Sequence, residues 1–212
     1  MTSPTTAPRR ALIVIDVQNE YFAGGNLPIE YPPVADTLPN IARAMDAAHA
    51  AGVPVVVVQH TAPSGAPVFD KATERWQLHP EVARRHADHC IEKPMASAFT
   101  HTGLAEWLAE RGIDTLTIVG YMTHNCDAST IYEASHRGLG VEFLSDASGA
   151  LPYANAAGSA SAEEIHRVFS VVFHSNFAAA ASTSEWVTAL QAGEALPKDN
   201  VFASNQRARQ AA

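Results

Sequence analysis

Thr115-Leu-Thr-Ile-Val-Gly-Tyr-Met-Thr-His-Asn-Cys-Asp-Ala-Ser-Thr130 joins an apolar run to a helical pattern through one glycine. Residues 115–119 have the length and composition of a buried strand. Cys126 follows the Gly120 turn at the point where a helix should start. A helix N-terminus carries unpaired N–H groups and the positive end of the helix dipole. A thiol placed there loses its proton more easily, and the thiolate is the nucleophile. The same N–H groups could hold the oxyanion formed when sulfur attacks a carbonyl. A lone cysteine is more often a small core residue, so neighbours must decide.

Similar units lie on either side. Ala11-Leu-Ile-Val-Ile-Asp16, residues 53–59, Val141-Glu-Phe-Leu-Ser145 and Phe177–Ala181 read as further strands. Between them Leu38, Ile41, Met45 and Ala48 share a helical face ahead of Gly52, and Leu104, Trp107 and Leu108 share another ahead of Gly112. A helix over 125–137 stops at Gly138, Ser161 and Glu164 form a capping box, and a last helix begins near Ser184. Strands alternating with helices predict a single doubly wound α/β domain, Rossmann-like and three-layered, with a mainly parallel sheet. Ligands in such folds bind beyond the carboxyl ends of the strands, which brings Asp16, Gln59 and the 120–126 turn to one edge. Loops 20–33 and 61–78, rich in Gly and Pro, border that edge. The domain is expected over 10–191, with mobile tails at 1–9 and 193–212.

With 212 residues the chain can bury a full core. A net charge of −8 argues against nucleic acid or an anionic membrane as partner. No run approaches the roughly 18 apolar residues of a membrane span. The start has no apolar signal core before Ala11, and Cys90 and Cys126 form no C-x-x-C pair. A cytoplasmic protein with reduced thiols is expected.

Asp16, Lys93 and Cys126 stand out together. A thiol near its reference pKa of about 8.5 is mostly protonated at neutral pH and needs a base or cation beside it. A carboxylate can accept its proton but repels the thiolate, so an ammonium balances the pair. Three anchors carry a resemblance: Ile15-Asp-Val-Gln18, Lys93 followed by Ser97-Ala-Phe99, and Gly120-Tyr-Met-Thr-His-Asn-Cys126. In this order and spacing, over residues 10–191, they resemble the isochorismatase-like cysteine hydrolases, a group that includes nicotinamidases, N-carbamoylsarcosine amidases and ureidoacrylate hydrolases. The resemblance implies a catalytic triad at Asp16, Lys93 and Cys126. It also implies a cis peptide between Tyr121 and Met122 and an oxyanion hole at the Met122 and Cys126 amides. It further implies hydrolysis of an amide, ureido or carbamoyl C–N bond of a small molecule through a thioester. No organic cofactor is implied; relatives form dimers to octamers, so a homo-oligomer, dimer or tetramer, is expected.

The chain departs from its relatives at Val58-Gln-His-Thr61. Nicotinamidases carry Asp-x-His there as part of a metal site; here position 58 is Val, and His60 alone makes a poor site, so no metal is expected. The vinyl-ether-cleaving branch lacks the nucleophilic cysteine that Cys126 supplies. Substrate contacts are expected from Gln18, Phe22, His60, Trp76, Phe99, Tyr121, His124 and Asn125, although Trp76 and His60 suit loop packing as well. His124 as the base of a Cys–His pair is awkward two residues from Cys126. Two alternatives stand beside the hydrolase: a non-catalytic ligand-binding member of the fold, and a metal-dependent nicotinamidase-like amidase.

Overall fold

In the computed structural model, which describes residues 7–211, the order is β1 (Arg10–Ile15), α1 (Val34–Ala50), β2 (Val55–His60), α2 (Pro80–Ala83), β3 (His89–Lys93), α3 (Leu104–Glu110), β4 (Thr115–Tyr121), α4 (Ala128–His136), β5 (Gly140–Gly149), β6 (Tyr153–Asn155), β7 (Gly158–Ala160), α5 (Ala162–Val172), β8 (Ala179–Ala181), α6 (Thr183–Ala192) and α7 (Val201–Gln210). Six strands form one sheet in the order β3-β2-β1-β4-β5-β8, and every neighbouring pair is parallel. Helices cover both faces, as expected of a doubly wound α/β fold. Alternation along β1 divides the core: Ala11, Ile13 and Ile15 face one apolar cluster, Leu12 and Val14 the other.

From the central pair β1 and β4, successive strands step outward in opposite directions. The crevice at their carboxyl ends is therefore the topological switch point. Gly120 makes the pair possible. Its φ is 114°, and a Cβ there would lie 2.1 Å from the Ile15 carbonyl oxygen. The next bond, Tyr121–Met122, is cis, as the resemblance implied.

Several elements differ from the sequence expectation. Cys126 does not open the helix. Thr123–Asp127 forms a π-helical turn ahead of α4, in which the Met122 carbonyl accepts from the amides of Asn125 at 3.0 Å and Asp127 at 3.2 Å. β5 outruns residues 141–145 because its register against β4 jumps from Ile118↔Phe143 to Gly120↔Ser148, a bulge that lets the strand continue. The β6–β7 hairpin was not anticipated, since Tyr-Ala-Asn and Gly-Ser-Ala show no apolar alternation. Within 193–212 the chain forms α7, capped by the Asn200 side chain accepting from Ala203 N. At the other end Arg9 binds Asp114 through its amide and guanidinium, while residues 1–6 of the expected tail lie outside the described residues. Among the described residues no helix is long and apolar enough to cross a membrane.

Candidate active site

Three strand ends converge at the switch point. Asp16 follows β1 with a φ of 50°, a left-handed conformation that Asp tolerates better than most residues, and its amide donates to the Val58 carbonyl at 2.9 Å. Lys93 is the last residue of β3, and Cys126 lies in the turn after β4. Asp16 and Lys93 are 0% exposed and Cys126 4%. The Lys93 ammonium is the hub. Its Nζ lies 2.7 Å from Asp16 Oδ2, donates to Cys126 Sγ at 3.2 Å and to the Met95 carbonyl at 3.1 Å, and sits 3.4 Å from His60 Nδ1. The Asp16 contact is an ion pair without hydrogen-bond angles, so neither Asp16 oxygen has a hydrogen-bond partner among the described residues. Oδ2 is held by the Lys93 charge, which leaves Oδ1 as the open acceptor.

The charges set the resting state. Burial, and after it the Asp16 carboxylate, push the Cys126 thiol up; Lys93 pulls the other way without prevailing. Burial opposes the Lys93 charge, yet Asp16 and Cys126 outweigh it and hold the ammonium above its ordinary range. Both shifts favour a charged Lys93 beside a protonated Cys126. Burial and then Lys93 push the His60 imidazole down. A metal at His60 Nδ1 would share that place with the Lys93 ammonium.

An aromatic row borders the hub. Phe22 packs on Tyr121 with ring centroids 5.8 Å apart, Tyr121 on Tyr21 at 5.6 Å, Tyr21 on Phe69 at 5.3 Å, and Phe69 on His60 at 5.1 Å. Tyr121 is buried, and its hydroxyl shares a 2.7 Å hydrogen bond with Thr37. Gln18 does not face open space: its Oε1 accepts from His60 N at 2.8 Å, and its Nε2 donates to the carbonyls of His60 and Trp76 at 3.1 and 2.6 Å. Trp76 is partly buried, its indole donating to Thr61 Oγ1 at 2.9 Å. Phe99 belongs to the cluster on the opposite sheet face, with the Arg137 guanidinium 4.9 Å from its ring. His124 turns toward the β6–β7 hairpin and α5, edge-on to Tyr153 at 4.9 Å and 6.2 Å from Phe169. Burial drives its pKa down to about 4, and it has no hydrogen-bond contact with Cys126. Asn125 is exposed.

Tyr21, Phe69 and Tyr153 were missed from sequence. Glu20, also missed, ties the two bordering loops: its buried carboxylate accepts from Asn26 N at 2.7 Å and Phe69 N at 3.1 Å. Their common signal was position: all four lie in or after loops at the carboxyl edge. Among the described residues no group of three His, Cys, Asp or Glu side chains is arranged to hold a metal ion.

Residues 10–191 match the isochorismatase domain family. The chain belongs to the isochorismatase family of hydrolases. Its fold follows closely that of a protein from Burkholderia xenovorans LB400 assigned as an isochorismatase, with 64% identity, a TM-score of 0.95, and coverage of 98% of this chain and 100% of that one. It is 33% identical over 148 residues to a secreted isochorismatase effector of Verticillium dahliae, covering 69% of this chain and 76% of the relative. It is 34% identical over 153 residues to a ureidoacrylate amidohydrolase of Acinetobacter baylyi, covering 57% of this chain and 62% of the relative. Isochorismatase-family members thus include hydrolases of C–N bonds.

Proposed function

We propose that this isochorismatase-family chain is a cysteine hydrolase that cleaves an amide, ureido or carbamoyl C–N bond of a small molecule. One observation carries it: a buried ammonium touches both a carboxylate and a thiol, at 2.7 and 3.2 Å. Cys126 gives its proton to Asp16 as sulfur attacks the carbonyl carbon. The oxyanion rests on the Met122 and Cys126 amides. The C–N bond breaks as Asp16 returns the proton to the leaving nitrogen, and a thioester remains. Asp16 then takes a proton from water, the resulting hydroxide attacks the thioester carbonyl, and the product acid leaves as sulfur recovers its proton. Lys93 keeps its charge throughout and balances thiolate and carboxylate in turn. The thiol's raised pKa supports proton transfer within the attack rather than a preformed thiolate.

The likeness to the ureidoacrylate amidohydrolase supports this bond class. His60 against the Lys93 ammonium favours a metal-free mechanism over the nicotinamidase-like alternative. The same proposal places the enzyme in a reducing cytoplasm, with Cys90 and Cys126 as free thiols, and assembles it as a dimer or tetramer. The test is a panel of small amides, ureas and carbamoyl compounds scored for ammonia release. At least one should be hydrolysed, and Cys126→Ala should abolish that hydrolysis. An alanine variant as active as the parent would overturn the assignment, and a purely ligand-binding protein would bind a panel member without releasing ammonia.

A further inference from the structure

Asp127, the residue after Cys126, is a buried acid that the proposed reaction does not use. It is 0% exposed, and neither of its oxygens has a hydrogen-bond partner among the described residues. A carboxylate in that position is costly unless paired. The groups around it offer no pair. Asp16 at the end of β1 repels it, and Lys93 at the end of β3 is held against Asp16, Cys126 and the Met95 carbonyl. The phenols of Tyr21 and of Tyr121 in β4 are kept neutral by burial and by its charge, and supply no counter-charge. The Ser148 hydroxyl of β5 falls outside hydrogen-bond geometry with either oxygen, yet it lies near enough to act on Asp127 as a donor and is the one neutral group that favours its ionised form.

We propose that Asp127, buried without a partner next to Cys126 in the chain, is a positioning residue held as the neutral acid, which leaves the Lys93 charge undivided between Asp16 and Cys126, and that its ionisation makes the Cys126 thiol harder to ionise. Burial first, then Asp16, raise the Asp127 carboxyl to about 8, against the Ser148 hydroxyl and Lys93. Below that pH the cluster holds one cation, one anion and a thiol. Above it a second anion beside Cys126 opposes the loss of the sulfur's proton. The consequence for turnover rests on the proposed hydrolysis, but the thiol can be read without it.

The experiment is alkylation of Cys126 by iodoacetamide as a function of pH. A Cys90→Ser background removes the exposed second thiol. Asp127→Asn, neutral at every pH, should alkylate at the parent's rate at pH 6. At pH 9 it should react about tenfold faster than the parent, the thiolate ratio of a one-unit difference in thiol pKa. A ratio that is the same at both pH values would overturn the proposal, because a merely structural change alters reactivity without regard to pH. Should the Asn variant not fold, Asp127→Val serves the same comparison. A hydrolase with a pH-independent ratio sinks only the role of Asp127. A chain that hydrolyses nothing yet shows the pH-dependent ratio sinks only the reaction.

Discussion

At the scale of single residues, Lys93 is the group on which the others depend. Its buried charge answers both an anion and an incipient anion, so its removal leaves Asp16 unpaired and lets burial push the thiol higher. Lys93→Met should lower kcat/KM by about a hundred- to ten-thousandfold, the range for losing a positioned proton-transfer arrangement. Lys93→Arg should not restore it. The planar guanidinium needs a wider slot than one whose side chain is 0% exposed and already touches four groups. Kinetics on whichever panel compound is cleaved decide this, and an arginine variant near parental activity would show that charge alone suffices.

At the scale of elements, the β1–β4 contact sets the distance between Asp16 and the turn that carries Cys126. Gly120→Ala puts a Cβ 2.1 Å from the Ile15 carbonyl oxygen at a φ that L residues avoid. It should destabilise the protein by about 3 kcal/mol or more, visible as a fall in the urea midpoint; an unchanged midpoint would mean that the strands separate freely. The elements most legible in the sequence are those buried on both faces. The Val55–Val58 run and Ala11–Ile15 could be little else, and the placing of Asp16 and Gln59 at their ends followed from strand polarity. Phe22, Tyr121 and His60 of the aromatic row were legible, but Tyr21 and Phe69, which join them, were hidden because they meet only when two loops fold back. The π-turn was hidden because its pattern is that of a helix with one residue too many. Asp127 was hidden because acids are exposed by default, and α7 because its sequence has no apolar face and its start rests on a single Asn200 cap.

At the scale of the whole molecule, buried titratable groups shape stability against pH. His124 and His166 are driven by burial to about 4, below the 6.5 of free imidazole. Between those values the unfolded chain binds more protons than the native one, so stability rises with pH. Asp127 works the other way. Its folded value of about 8 lies above the ordinary 3.8, so the native state binds the extra proton, and its contribution is lost as pH climbs through about 8. His60 and His79, also pushed down by burial, add to the rise; below 6.5 the histidines outweigh the one falling term, above it the falling term prevails, and the maximum lies near neutral pH. Melting temperatures from pH 5 to 9 check this; a monotonic rise to pH 9 would contradict it. The Glu20 carboxylate has a consequence for redesign. Because it accepts backbone amides from Asn26 in one loop and Phe69 in the other, the two segments are a matched set. A chimera that grafts one of them from a relative leaves a buried anion facing a foreign backbone, so a change of substrate by loop exchange calls for transplanting both together with their shared acid.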